Sequence, residues 1–174
     1  YYQELLFDYF NPVAILEQNT NEGELNNFLG SFQADFDLAK NLTISGLYTR
    51  QRDNQFNGQY ISRQSLFGQG ADRKGVATRR LDQQTTQQAT FTATYSKEIG
   101  KLDFRILGGY EYQSADYQGL SSGSFNFLTD VFGYNNLGNA LSYSLGESSA
   151  GSYRNGYEGV ATFARLNLSY NDTY

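Results

Sequence analysis

The sequence contains no cysteine and no histidine. Without cysteine there is no disulfide, no thiolate metal site and no cysteine nucleophile, and the redox compartment stays undetermined. Without histidine, imidazole-based catalytic triads and most zinc sites are excluded. Since no other constellation of residues resembles an active site, the sequence predicts neither an enzyme nor a cofactor.

Long apolar runs are missing as well. No stretch approaches the roughly 18 apolar residues of a membrane-spanning helix, and the mean hydropathy is -0.57. These values argue against helical membrane spans but not against a β-barrel, whose inner face and loops are polar. The net charge of -5 and the pI of about 4.7 argue against a nucleic-acid partner.

Tyrosine, phenylalanine and glycine are abundant, with 15, 13 and 18 residues, against a single proline. That mixture favours strands and turns over helices. The pattern is clearest between Ala89 and Gln113, where apolar and polar residues alternate on both sides of a turn at 97–101. Period-two alternation predicts a β-hairpin, because successive side chains of a strand point to opposite faces.

The apolar face of this hairpin is long. From Leu102 to Tyr112 it covers about 33 Å at ~3.3 Å per residue. Tilted by roughly 40°, it spans about 25 Å, the height of the apolar band of an outer-membrane barrel. Tyr95, Tyr110 and Tyr112 lie at its ends, where the aromatic girdles of such a barrel are expected. The hairpin is therefore predicted to span a membrane.

Three further strands are predicted at 25–38, 42–52 and 157–170, with Leu47, Leu107 and Phe163 as exceptions to the alternation. Short turns at 39–41, 97–101 and 171–173 alternate with long polar excursions at 53–85 and 114–156. That asymmetry is typical of outer-membrane barrels, and it predicts that 53–85 and 114–156 are extracellular loops.

The two ends of the chain are less regular. Residues 1–24 are expected to hold a short strand or an aromatic loop, an extended turn at Pro12 and a polar loop at 19–24. Both ends of the sequence look cut. Because an open sheet edge cannot face lipid, the membrane hypothesis also requires further strands. The predicted fold is an all-β, antiparallel, up-and-down transmembrane barrel segment of about five to six strands.

Polar residues opposite the apolar face are predicted to line a hydrated lumen. They are Asp35, Asp37, Arg105, Glu111, Gln113 and Arg165. Paired carboxylates could also serve acid–base chemistry or bind Ca²⁺, but ordinary ion pairing on a wet wall explains them better.

Aromatic residues of the excursions form a second candidate group, for contact with a substrate or a protein lid. Packing of a folded loop explains them equally well. They are Tyr117, Phe125, Phe127, Tyr134 and Tyr153.

Several phrases resemble one family. The segment 11–24, NPVAILEQNTNEGE, resembles a loop-to-strand segment of SusC/RagA-type TonB-dependent outer-membrane transporters of Bacteroidetes. GGYEYQ at 108–113 is similar to a strand of their barrel, and NLGNA at 136–140 to an extracellular-loop phrase. FARLNLSYNDTY at 163–174 resembles a strand and turn of the family. The phrases occur in the family's order along the whole chain.

The resemblance implies a place in the middle of a barrel of roughly 22 strands with a plugged lumen, all of residues 1–174 lying in the barrel domain and the plug lying elsewhere. It further implies import of glycan oligomers or peptides across a Gram-negative outer membrane. The implied partners are outer-membrane lipid, a SusD-like surface lipoprotein and TonB, which acts through the plug.

Two alternatives remain open from sequence. One is a SusC-like barrel that serves as a structural subunit of an outer-membrane assembly or secretion complex. The other is a secreted β-sandwich that binds carbohydrate.

Overall fold

The computed structural model describes residues 11–170 of the chain. Five long strands dominate: β1 Asn19–Ala39, β2 Leu42–Ile61, β3 Val76–Ile99, β4 Leu102–Phe125 and β5 Ser149–Tyr170. They form one sheet in the order β1-β2-β3-β4-β5, so every strand pairs with its neighbours in sequence. The predicted antiparallel, up-and-down barrel segment is confirmed. A β-sandwich is wrong for residues 11–170, because it requires a second sheet.

At the start of the described chain, the secondary structure differs from the prediction. A helix, α1, covers Pro12–Gln18, where an extended turn was expected, and β1 begins at Asn19, in the expected polar loop. Asn11 caps this helix, since its side chain accepts a hydrogen bond from the backbone N–H of Val13 at 3.0 Å. Proline at the first helical position removes no hydrogen bond of the helix, because an N–H at that position has no acceptor within the helix. The predictions for residues 1–10 and for the turn at 171–173 lie outside the described residues.

Both predicted short turns are present, but they are tighter than the predicted 39–41 and 97–101, since Ala39 ends β1 and Ile99 ends β3. β1 and β2 are joined through Lys40 and Asn41, and β3 and β4 through Gly100 and Lys101. Gly100 has φ 65°, in the left-handed region that glycine occupies without steric cost.

The strands are longer than predicted. Much of 53–85 and of 114–156 continues the ladders, and the connections between strands shrink to 62–75 and 126–148. The reason is that hydrogen bonding between neighbouring strands needs only backbone groups. A polar segment in water can extend a sheet without an apolar face, so the end of the alternation did not mark the end of the strand.

The connections contain only short helical pieces. A second α-helix, α2, covers Leu141–Ser144, and single 3-10 turns cover Phe67–Gln69, Gly133–Asn135 and Leu137–Asn139.

The chain divides into two compact units. The loop-side unit comprises 11–26, 54–83 and 118–154, and contains both long connections. The turn-side unit comprises 27–53, 84–117 and 155–170, and contains both short turns. Each is described by itself below.

The loop-side unit has a small hydrophobic core. Its buried members are Tyr60, Ala77, Phe127, Tyr134 and Ala140, with Phe56 and Leu137 packed against them. The rings of Tyr60 and Phe127 meet edge to face, with centroids 5.6 Å apart. Long connections are thus anchored to strands by aromatic packing.

The turn-side unit has large apolar side chains on its surface. Phe32 on β1, Phe91 on β3 and Leu166 on β5 are 70%, 56% and 59% exposed. Because β3 is the central strand of the sheet, the exposure of Phe91 does not come from a position at a sheet edge.

Phe163, the exception to the alternation of β5, lies over a glycine of the adjacent strand β4. A Cβ atom built on Gly109 would lie 2.2 Å from the Phe163 ring. The ring therefore occupies the space that a side chain at position 109 would fill. This is aromatic cover of a strand glycine, a recurrent device in sheets.

Candidate functional site

The predicted lumen residues all lie on strands of the turn-side unit. Asp35 and Asp37 are exposed on β1. Asp35 accepts a hydrogen bond from Gln33 Nε2 at 3.0 Å, and Asp37 accepts one from Thr43 Oγ1 at 2.7 Å. The two carboxylates thus bind neutral donors beside them and do not converge on one ligand.

Glu111 and Gln113 lie on β4. Thr90 Oγ1 of the adjacent β3 donates to Glu111 Oε2 at 3.5 Å, a long hydrogen bond. The carboxylate is therefore weakly held.

Arg105 and Arg165 are brought together. They line one cavity of about 570 Å³ with Asp103, Asn167 and Ser169. Arg165 Nε donates to Asn167 Oδ1 at 3.1 Å.

Sequence reasoning missed another polar cluster of the turn-side unit. Asp53 accepts a hydrogen bond from Asn27 across the β1–β2 pair and one from Gln51 Nε2 at 3.0 Å. In the sequence, the only sign of this cluster is that Asp53 and Gln51 are two residues apart and therefore lie on the same face of β2. The predicted strand ends at residue 52, so residue 53 falls in a predicted loop.

The predicted loop aromatics fall into different environments. Tyr117 and Phe125 belong to β4, not to a loop, and the guanidinium carbon of Arg73 lies 3.8 Å from the Phe125 ring centroid. Phe127 and Tyr134 are buried in the loop-side core. Packing accounts for those two rings, because a buried ring offers little surface to a substrate.

The ring of Tyr134 packs closely against β2. A Cβ atom on Gly58 would lie 2.5 Å from its ring, and its hydroxyl donates a hydrogen bond to Glu22. The hydrogen bond to this carboxylate raises the pKa of the Tyr134 phenol. Glycine at position 58 is what allows the ring to reach the sheet.

Tyr153 lies on β5 and not in the predicted loop. It is the predicted aromatic that stays accessible, with 45% of its surface exposed. Its hydroxyl donates to Asp82 Oδ1 at 2.9 Å, and Arg80 Nε donates to Asp82 Oδ2 at 2.6 Å. These donors lower the pKa of the Asp82 carboxyl, the Arg80 hydrogen bond most of all. Arg80, Asp82 and Tyr153 form the Asp82 cluster, which holds the tyrosine ring in place.

A cavity of about 510 Å³ lies in the loop-side unit beside this cluster. Its lining includes five amide side chains, three charged ones and the apolar surface of Phe56, Leu81 and Leu120. Its other polar residues include Glu24, Asn26, Asn54, Gln83, Gln118 and Arg154. Such a lining is suited to hydrogen bonding and contact with an uncharged polar ligand.

Among residues 11–170 no cluster of His, Cys, Asp or Glu could hold a metal ion. No helix of that range is both long and apolar enough to cross a membrane.

Comparison with known proteins gives consistent matches. TonB-dependent receptor P26 of Formosa agariphila is 32% identical over 172 residues, which cover 94% of this chain and 16% of the relative. TonB-dependent receptor P3 of the same organism is 27% identical over 168 residues, which cover 96% of this chain and 16% of that relative. No family model matches the chain.

Among solved structures, the RagAB peptide transporter superposes with a TM-score of 0.80 at 18% identity, over 94% of this chain and 18% of the transporter chain. The predicted recognition of a SusC/RagA-type TonB-dependent receptor segment is confirmed. The SusC/RagA-type segment spans about a sixth of the curated relatives that it matches.

Proposed function

We propose that this SusC/RagA-type segment forms five strands of the barrel wall of an outer-membrane TonB-dependent importer. All of residues 1–174 would belong to the barrel domain, with the plug in another part of the receptor. The segment binds and passes cargo without bond chemistry. The cargo class is glycan oligomers or peptides, and the RagAB neighbour is itself named a peptide transporter.

The observation that carries the proposal is the exposed apolar surface of the turn-side unit. Phe91 lies on the central strand and is 56% exposed, and Phe32 and Leu166 are exposed on other strands. Soluble monomers seldom expose a large contiguous apolar area, whereas a barrel wall exposes one to lipid. Because successive side chains of a strand point to opposite faces, the other face would then point to the lumen. That face carries Asp35, Arg105 and Arg165.

The loop-side unit would lie outside the membrane on the extracellular side. Its connections 62–75 and 126–148 are the surfaces available to a SusD-like lipoprotein, and Tyr153 is the accessible aromatic for cargo or lid contact. TonB would act through the plug. The resemblance supports the lipoprotein and TonB as partners, and the names of the TonB-dependent relatives support TonB.

The test is uptake by the native bacterium. Deletion of the gene should abolish growth on one class of oligosaccharide or peptide, and complementation with the full-length receptor should restore it. Removing residues 128–145 from the complementing receptor should impair uptake or lipoprotein association while the barrel still assembles.

Outer-membrane fractionation and heat-modifiable migration in gel electrophoresis provide the control for assembly. If the deletion strain grows as well as wild type on every glycan and peptide pool, and instead loses a surface assembly or a secreted product, the importer proposal is wrong. The alternative of a structural subunit would then be correct.

A further inference from the structure

One pair of charged side chains in the turn-side unit has no charged partner. Arg105 on β4 and Arg165 on β5 line the cavity of about 570 Å³. Among residues 11–170, neither has a carboxylate within salt-bridge distance. Arg80 of the loop-side unit, by contrast, pairs with Asp82 at 2.6 Å.

The register of the two strands places the arginines close together. Gly109 faces Phe163, since the ring of the phenylalanine lies where a glycine Cβ would be. The two strands are antiparallel. Four residues back along β4 from Gly109, and four residues forward along β5 from Phe163, Arg105 lies opposite Asn167. Arg165 then occupies the diagonal position, where Cβ atoms are about 7–8 Å apart. Two arginine side chains at that separation can reach one group between them.

The remaining polar atoms of the cavity fit an anionic group that carries hydroxyls or amides. Asn167 accepts the Nε hydrogen bond of Arg165 at 3.1 Å and so fixes the direction of that side chain. Asp103 contributes one negative charge against the two positive ones, which leaves the cavity with a net charge of about +1. Ser169 adds a hydroxyl.

Arginine is the residue suited to this task. Its planar guanidinium presents two parallel N–H donors that match a carboxylate, a sulfate or a phosphate. A solvated lysine would carry the same charge without that geometry. Two guanidinium groups that have no carboxylate partner among residues 11–170 therefore offer their remaining N–H donors to an oxyanion in one cavity.

We infer that Arg105 and Arg165 together bind a carboxylate or sulfate group of the cargo as it passes the barrel wall. The inference rests on the proposed function, and it narrows the cargo to anionic oligomers. The same chemistry could come from a carboxylate of the receptor outside residues 11–170, and the experiment separates these two sources.

The experiment uses the full-length receptor purified in detergent, as wild type, Arg105→Gln and Arg165→Gln. Arg50→Gln is the matched control, since Arg50 lies in the same unit but does not line the cavity. The probes are tetraglutamate, tetragalacturonate and a tetramer of sulfated galactose, each compared with a neutral tetramer of the same length.

We expect wild type and Arg50→Gln to bind at least one anionic probe about tenfold more tightly than its neutral counterpart. Each cavity variant should lose about tenfold in affinity for that probe and nothing for the neutral one, because charge-assisted hydrogen bonds to it are removed. That result supports the cargo as the source of the anion.

A second result assigns the anion to the receptor itself. In that case no anionic probe is preferred, and both cavity variants lower the melting temperature of the probe-free receptor relative to Arg50→Gln. This overturns the cargo as ligand while leaving an oxyanion bound at the pair. Unchanged probe affinity together with unchanged melting temperature overturns the site altogether.

These outcomes are separable from the proposed function. If deletion of the gene stops growth on a nutrient but the cavity variants behave as wild type in both measurements, only the arginine site is wrong. If deletion affects no uptake, the importer proposal itself fails, whatever the variants show.

Discussion

The loop-side and turn-side units use the same five strands but differ in whether they bury a core. In the loop-side unit, Phe127 is 2% exposed and Ala77 is fully buried. Its connections fold onto the sheet to form that small core, although Leu128 and Val131 stay 78% and 81% exposed. Among residues 11–170, the turn-side unit buries only Ala115, and Phe32 is 70% exposed. Only the loop-side unit is therefore held together by a core of its own connections.

The largest effect should come from the core of the loop-side unit. Phe127→Ala removes a buried ring that packs against Tyr60, and should cost about 3–5 kcal/mol in the free energy of unfolding of that unit. Phe32→Ala, at an exposed position, should cost far less. Limited proteolysis of the detergent-solubilised receptor would measure this, with cleavage in 126–148 expected only for Phe127→Ala. Equal resistance of the two variants would refute the contrast.

The next effect should come from the exposed apolar face. Phe32→Arg should lower barrel stability by up to about 2–4 kcal/mol, which is the cost of a lipid-facing arginine at the bilayer midplane. Gln33→Arg, one residue along β1 and on the other face, should be nearly neutral. Unfolding in urea from phospholipid vesicles would compare them. A larger loss for Gln33→Arg would reverse the assignment of lipid and lumen faces.

A smaller effect should separate two adjacent glycines of β4. Gly109→Ala places a Cβ about 2.2 Å from the Phe163 ring, and overpacking of this kind costs about 1–3 kcal/mol. Gly108→Ala meets nothing within 4 Å and should be neutral or slightly stabilising, because alanine loses less entropy on folding. The same urea experiment measures both. Equal stabilities would show that Phe163 does not cover Gly109.

The smallest effect should be a pH dependence in the Asp82 cluster. The Arg80 and Tyr153 hydrogen bonds lower the pKa of Asp82, so their stabilising contribution is complete above the unfolded carboxyl pKa of about 3.9. It is lost as pH falls through the lower folded pKa. The melting temperatures of wild type and Asp82→Asn should therefore differ by a constant amount down to about pH 4 and approach each other as the pH falls further. A difference that also stays constant below that pH would contradict the linkage.

Alternation predicted which segments are strands, because a half-buried sheet demands a side-chain period of two. It therefore located the hairpin around residue 100 and the antiparallel order. Alternation did not predict the strand ends, because polar residues continue the backbone hydrogen bonds there. It also did not predict the helix Pro12–Gln18, which Asn11 caps. Alternation also flagged Phe163 as an exception, but only the neighbouring strand explains why it is there.

The candidate sites were predicted in part. The parity of residues along β4 and β5 placed Arg105 and Arg165 on the polar face, and the structure shows that they line one cavity. Tyr153 was predicted as a contact residue, whereas its pairing with Asp82 depends on two strands that are 71 residues apart in sequence at that point. No local pattern encodes such a pair.

The amino-acid sequence by itself determined the class of this protein: strands of alternating polarity with a face too apolar for water, and no residues for imidazole or thiol chemistry. Tertiary structure alone decided which aromatics are buried, which carboxylates have partners and, among residues 11–170, which arginines have no carboxylate partner. The reason is physical. Alternation is a property of one strand, whereas burial and pairing depend on the register between strands. A register shift of one residue would move every side chain of a strand to the other face of the sheet.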